Sequence, residues 1–167
     1  MPLVTYEQAR PWAVAIKEQV LARAMPPWGA VKGFGAFEPD GALSQEEILI
    51  IAAWVIGGAP KGDPVLLMKP AQQLTRNANP KDILVINGSA VLDEALNIAG
   101  IRPLVNAPVS SAKIMATLPN GCTEPLIWLY QYIPGRSNAI FHFRDAVRLP
   151  KGTKIEASQP IRFALEG

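Results

Sequence analysis

Cysteine and histidine are almost absent from this chain of 167 residues, which has one of each, Cys122 and His142. A disulfide within the chain is therefore excluded, as is a Cys-x-x-Cys metal motif. A zinc or copper site built mainly from imidazoles is excluded within one chain for the same reason. Lys and Arg exceed Asp and Glu by only two and form no basic run, so we do not expect nucleic-acid binding.

Long apolar runs are missing too. None reaches the roughly 20 residues that a membrane-spanning helix needs. The longest, residues 48–56, contains Trp54 and predicts a helix that is buried on most sides. The first four residues, Met1-Pro2-Leu3-Val4, have no basic region, long apolar segment or cleavage site of a signal peptide.

The first third of the chain has a helical pattern. Thr5-x-x-Gln8 and Ser44-x-x-Glu47 each fit a capping box, in which a hydroxyl and a longer polar side chain satisfy the first backbone N–H groups. Apolar residues follow at helical spacing, which predicts helices over residues 6–22 and 44–56. Between them, Met25-Pro26-Pro27-Trp28 stops the first helix, because proline lacks a backbone N–H and restricts the residue before it.

After residue 64 the pattern changes to the alternation of short strands separated by Pro and Gly turns. We read residues 92–105 as strand rather than helix because Asn97, Gly100 and Pro103 oppose a helix. These features predict an antiparallel β-sandwich of about seven strands over residues 64–167. The predicted fold class is therefore α+β, with a small all-α domain over residues 1–62. The predicted strands are residues 65–69, 83–86, 92–105, 112–118, 123–130, 139–147, 154–157 and 161–165.

The helical segments occur in one order and spacing that resembles a c-type cytochrome domain of multidomain bacterial periplasmic proteins. In that family the methionine of the Met-Pro-Pro-Trp segment is the distal haem ligand, which corresponds to Met25. The resemblance covers about residues 1–63. The segments that carry it are Thr5-Tyr6-Glu7-Gln8-Ala9-Arg10-Pro11-Trp12, Met25-Pro26-Pro27-Trp28, Leu43-Ser44-x-x-Glu47 and Ala53-Trp54-Val55-x-Gly57-Gly58-Ala59-Pro60.

The second half is similar to the β domain that follows such cytochrome domains, whose wider kin include the sandwich domains of copper monooxygenases. The resemblance implies the sandwich architecture for this chain but not the copper-dependent activity, because His142 is the single histidine. The matching segments are Ile101-Arg102-Pro103, Ala116-Thr117-Leu118-Pro119-Asn120-Gly121, Glu124-Pro125-Leu126-Ile127-Trp128-Leu129-Tyr130 and Arg148-Leu149-Pro150-Lys151-Gly152-Thr153.

The chain departs from the family at the haem-attachment segment. Covalent attachment needs a Cys-x-x-Cys-His run, which the family carries upstream of the segment that matches Leu3-Val4-Thr5. Cys122 and His142 cannot rebuild this run, because they are twenty residues apart. Either the domain has lost its haem-binding helix or the sequence starts inside a longer gene product. In the first case we expect Met25 and Trp28 to fill the space of a haem, as buried side chains.

The resemblance implies a non-enzymatic, haem-less accessory or structural subunit without a cofactor. It would be periplasmic and docked on a membrane-bound electron-transfer complex, for example on the cytochrome subunit of a photosynthetic reaction centre. The alternative is an electron-transfer cytochrome with Met25 as distal ligand and a haem-attachment segment upstream. A copper-dependent oxygenase is a weaker third reading.

Five side chains are candidate interface residues. Trp128, Tyr130 and Tyr132 alternate along one predicted strand face, as core residues or as interface anchors. His142 stands between Phe141 and Phe143, so it faces solvent or a partner if both phenylalanines point inward. The fifth candidate is Trp28, which follows the two prolines in the chain.

Overall fold

The computed structural model describes residues 3–63 and 81–167, and the contacts within the chain divide it into two units. Of the described residues, the first unit holds 3–26 and 43–63, and the second holds 27–42 and 81–167. The predicted strand at 65–69 lies outside the described residues. The predicted boundary between residues 62 and 64 placed segment 27–42 with the helices, whereas its contacts are with the strands.

The first unit is helical. Its elements are α1 (Tyr6–Ala9), a 3₁₀ turn (Arg10–Trp12), α2 (Ala13–Leu21) and α3 (Gln45–Ile56). Both capping boxes are present, with the Gln8 and Glu47 backbone N–H groups donating to Thr5 Oγ1 and Ser44 Oγ, so the predicted helix starts are confirmed. No helix in the described ranges is long and apolar enough to cross a membrane.

The second unit consists of two antiparallel four-stranded sheets, in the orders β1-β8-β3-β6 and β2-β7-β4-β5. The predicted strand over 92–105 is confirmed in β3, and the predicted hairpin at Pro119-Asn120-Gly121 joins β4 to β5. The strands are β1 (Asp82–Asn87), β2 (Ser89–Val91), β3 (Leu96–Pro103), β4 (Val109–Thr117), β5 (Thr123–Tyr132), β6 (Phe141–Leu149), β7 (Lys154–Ala157) and β8 (Arg162–Glu166).

One apolar core lies between the two sheets. Alternate residues of each strand point into it, and the largest of them are completely shielded from solvent. This burial is the main stabilising contribution to the unit, since each fully buried large apolar side chain is worth about 1.5–3 kcal/mol. The fully buried large side chains of the core include Ile98, Ile114, Leu126, Leu129, Phe141, Leu149, Ile155 and Phe163.

The predicted fold class is wrong. The chain is mostly β, with 38% strand and 19% helix, which does not fit a small all-α cytochrome-like domain followed by a sandwich. The physical reason is the segment between α2 and α3. Its prolines and glycines, Pro26, Pro27, Gly29, Gly33 and Gly35, oppose a helix, and its aromatic side chains gain more burial among the strands.

We call residues 27–42 the strap, because this segment pairs with one outer strand of each sheet, β5 in one and β6 in the other. The Val31 N–H donates to Trp128 O on β5 at 2.9 Å, and the Arg144 N–H of β6 donates to Ala36 O at 2.8 Å. Gly35 allows the strap to run this close, since its φ is +87° and a Cβ there would collide with Leu126 O. The strap therefore covers part of one edge of each sheet, the β5 edge and the β6 edge.

Trp28 is partly buried and packs against the core of the strand unit. Its ring makes edge-on contacts with Phe141 and Phe37, at centroid distances of 5.1 and 6.4 Å. Its Nε1 is buried without a hydrogen-bond acceptor among the described residues. Met25 lies in the other unit and is 44% exposed, so the expectation that Met25 and Trp28 together fill one buried space is wrong.

We predict that Trp28→Ala lowers the free energy of unfolding by about 3 kcal/mol, because it empties a large core volume. Trp28→Phe should cost less than about 1.5 kcal/mol, since it keeps the ring contacts and removes the unpaired N–H. Met25→Ala should cost less than about 1 kcal/mol, because the side chain is nearly half exposed.

Urea unfolding followed by far-ultraviolet circular dichroism measures all three changes. A loss for Met25→Ala as large as that for Trp28→Ala would contradict the placement of these two side chains.

Candidate interaction surfaces

Helices α2 and α3 pack against each other through small and medium apolar side chains, Ala13 and Val20 on one and Ile48 and Ala52 on the other. Hydrogen bonds show that the helices run antiparallel. Arg23, just after α2, donates to Gln45 Oε1 at the start of α3. Tyr6, ahead of α2, donates its hydroxyl to Ala59 O, just after α3, at 2.8 Å.

A second apolar stripe on each helix is exposed. Val14 and Leu21 on α2 are 60% and 52% exposed, and Leu49 and Ile56 on α3 are 55% and 77% exposed. Each pair is spaced by seven residues, so each lies on one side of its helix, about 100° from the contact face. Because the helices are antiparallel, the same rotation brings both stripes to the same side of the pair.

We call Val14, Leu21, Leu49, Ala53 and Ile56 the apolar helix face. The expectation that the 48–56 helix is buried on most sides is wrong, since only Ile48 and Ala52 of α3 are buried. A two-helix unit has too few neighbours to cover a helix that is apolar all round. Exposed apolar side chains grouped in this way make the face a candidate contact site.

The described residues do not fit a covalently attached haem. The thioether of Met25 is accessible in the helical unit, but Cys122 lies exposed at the β4–β5 hairpin and His142 lies on β6. Among the residues that the structure describes, no group of three or more His, Cys, Asp and Glu side chains could hold a metal ion.

The aromatic residues of β5 are divided between the core and the surface. Trp128 and Tyr130 lie half-buried on the outer face, but Tyr132 is 3% exposed and packs in the core, where burial raises the pKa of its phenol. Gln131 has a left-handed backbone, with φ of 48°, which breaks the alternation and turns Tyr132 inward. A prediction that assumes strict alternation along the strand cannot reveal this irregularity.

Trp128 is held in place by its neighbours. Its Nε1 donates to Ser111 Oγ at 2.9 Å, and Lys113 Nζ lies 4.2 Å from the ring centroid. Phe34 of the strap makes an edge-on contact at 5.8 Å. With Tyr130 beside it, Trp128 remains a candidate contact residue on the outer face of this sheet, whereas Tyr132 lies in the core and Trp28 packs against it.

A buried carboxyl lies at the end of β8. The Glu166 side chain is 1% exposed; its Oε1 accepts from Arg102 Nε at 3.1 Å, and Oε2 has no partner among the described residues. Arg102 also donates to Asp82. Burial raises the pKa of Glu166, although Arg102 opposes the shift, because desolvation disfavours the charged form.

His142 is near this carboxyl, on the other side of Gly100. Gly100 pairs with Glu166 on one side and with His142 on the other. A Cβ on Gly100 would lie 3.4 Å from both Glu166 Oε2 and His142 Nδ1, so the missing side chain leaves room for the two groups. This neighbourhood could not be predicted from local sequence patterns, because the three residues come from separate strands.

An open cleft of about 770 Å³ lies in the strand unit, beside the strap and the outer edge of β6. Its apolar lining includes Phe37, Leu118, Phe143 and Leu149. Two ion pairs are at its rim, Lys32 with Asp40 at 3.9 Å and Arg144 with Glu38 at 3.6 Å. We call it the edge cleft; its charged lining residues are Lys32, Asp40, Glu124, Arg144, Asp145 and Arg148.

No protein-family model, curated protein or solved structure gives a significant match to this chain.

We predict that the free energy of unfolding falls as the pH rises through the raised pKa of Glu166. A group whose pKa is higher in the folded state binds its proton more tightly there, so its contribution is complete below the ordinary value of 4.5 and is lost at higher pH. Glu166→Gln should remove this component, because the amide does not ionise.

Urea unfolding between about pH 4 and about pH 8 compares the wild type, Glu166→Gln and an exposed control, Glu94→Gln. A pH dependence that is the same in all three would refute the role of Glu166. All three proteins keep His142 and Asp82, so a difference between them in the pH dependence of the free energy of unfolding reports on Glu166.

Proposed function

We propose that this chain is a non-enzymatic accessory subunit, without a haem of its own, that docks on the periplasmic side of a membrane-bound electron-transfer complex. The observation that carries the docking role is the apolar helix face. Its side chains Val14, Leu21, Leu49 and Ile56 are each more than half exposed on a unit of two helices. Large apolar side chains on a folded surface contribute free energy when a partner covers them.

The nature of the host comes from the resemblance to periplasmic cytochrome proteins. A complex that carries a bound cytochrome, such as a photosynthetic reaction centre, is the host we propose, with its cytochrome subunit as the contact. The exposed Met25 lies in the same helical unit as the docking face but has no partner thiols or histidine in that unit. The lack of these haem ligands in the unit supports a binding role for it rather than electron transfer.

We predict that the double variant Leu49→Glu with Ile56→Glu abolishes docking, because two carboxylates would have to lose their hydration in the interface. Its stability should match that of the wild type, since both side chains are exposed. The matched control is Val91→Glu, which alters a side chain of the strand unit that is 60% exposed.

The measurement is retention of a haem-absorbing complex from detergent-solubilised host membranes on the immobilised chain. The wild type and Val91→Glu should retain the complex, and the double variant should not. Equal retention by all three, or no haem protein on the wild type, would contradict the proposal.

The haem content of the chain itself gives a second prediction. Protein purified from its native host should be colourless in the pyridine haemochrome assay and should have the intact mass of its polypeptide. A Soret band together with a mass increased by covalent haem would contradict the accessory-subunit proposal and would indicate an electron carrier.

A further inference from the structure

The outer edge of β6 is covered along only part of its length. β6 is the last strand of its sheet, and the strap pairs with it at His142 and Arg144 through the Glu38 N–H and Ala36 O. No described residue pairs with the outer side of residues 145–149, which line the edge cleft. An uncovered strand edge offers backbone donors and acceptors to another extended chain.

The pairing of β6 with β3 is irregular beside this edge. His142 pairs with Gly100 and Val147 with Ile98, so four residues of β6 lie opposite Ala99 alone. The ladder with β3 is interrupted there, and residues 143–146 of this segment line the cleft.

The size and the walls of the cleft fit an extended peptide. Five residues of strand span about 17 Å, which matches the length of edge along residues 145–149. Glu124 and Pro125, at the start of β5, form part of the lining. The apolar floor, with Phe143 and Leu149, suits the side chains of a peptide that alternate towards the protein.

The charges that are not already paired favour a basic segment. Lys32 and Arg144 are paired with Asp40 and Glu38. Three further charged residues of the lining, Glu124, Asp145 and Arg148, form no ion pair among the described residues, which leaves a net charge of minus one. A Lys or Arg side chain of the peptide would neutralise this charge.

We propose that the edge cleft binds an extended, basic peptide segment of a partner protein, which adds to β6 as a further strand along residues 145–149. The backbone bonds supply affinity for any extended chain, and the carboxylates of Glu124 and Asp145 select a basic side chain. This surface belongs to the strand unit, so the inference stands independently of docking by the apolar helix face.

The test uses the full chain labelled with ¹⁵N and three acetylated, amidated pentapeptides. The first is Thr-Val-Lys-Val-Thr, the second replaces its Lys by Glu, and the third keeps Lys but carries an N-methyl group on every residue. The Lys peptide should shift the amide resonances of residues 144–149 and of the strap. The Glu peptide should bind about tenfold more weakly, and the N-methylated peptide should not bind, because it cannot donate backbone hydrogen bonds.

A charge reversal provides the complementary test. The double variant Glu124→Lys with Asp145→Lys should fold normally, because both side chains are exposed and unpaired, and should prefer the Glu peptide over the Lys peptide. Asp93→Lys, an exposed acid outside the cleft, should keep the wild-type preference.

Two results would overturn the proposal. One is equal binding of the N-methylated peptide, which would show that side chains alone are recognised. The other is a set of shifted resonances that lies away from β6 and the strap.

Discussion

The backbone pairing of the strap with one outer strand of each sheet, β5 and β6, is the interaction on which the rest of the strand unit depends. A sandwich of two open sheets has unpaired N–H and C=O groups along each edge. The strap satisfies part of the β5 edge through Gly29 and Val31 and part of the β6 edge through Ala36 and Glu38. The same pairing delivers Trp28 and Phe37 to the core, so edge protection and core filling come from one segment.

The two surfaces proposed for interaction differ in their physics. The apolar helix face exists because a pair of short helices cannot bury a sequence such as that of α3 on all sides. It favours a broad contact that removes apolar surface from water. The edge cleft exists because the strap stops pairing at Arg144, and there the available groups are backbone amides and a few charges. Such a site selects its ligand by conformation and by charge.

Local signals in the sequence predicted the local structure well. Thr5 and Ser44 start helices because each hydroxyl satisfies backbone N–H groups a few residues away, which a short window contains. Asn97, Gly100 and Pro103 correctly argued for a strand. The position of the Trp28 side chain could not be predicted in this way, because it depends on a contact with Phe141, which lies more than a hundred residues later in the chain. The inward turn of Tyr132 depends on the backbone of Gln131, and the setting of Glu166 depends on residues from three other strands.

The position of the strap in the chain has a consequence for dissecting the protein. The helical unit is assembled from two stretches of chain, and the polypeptide leaves it after Pro26 and returns at Leu43. A fragment that begins near residue 64 would therefore lack the strap, so the β5 and β6 edges of its sandwich would be bare and a void would remain where two aromatic rings had been. The two units are distinct in their contacts but interleaved along the chain, so neither can be obtained intact by a single cut.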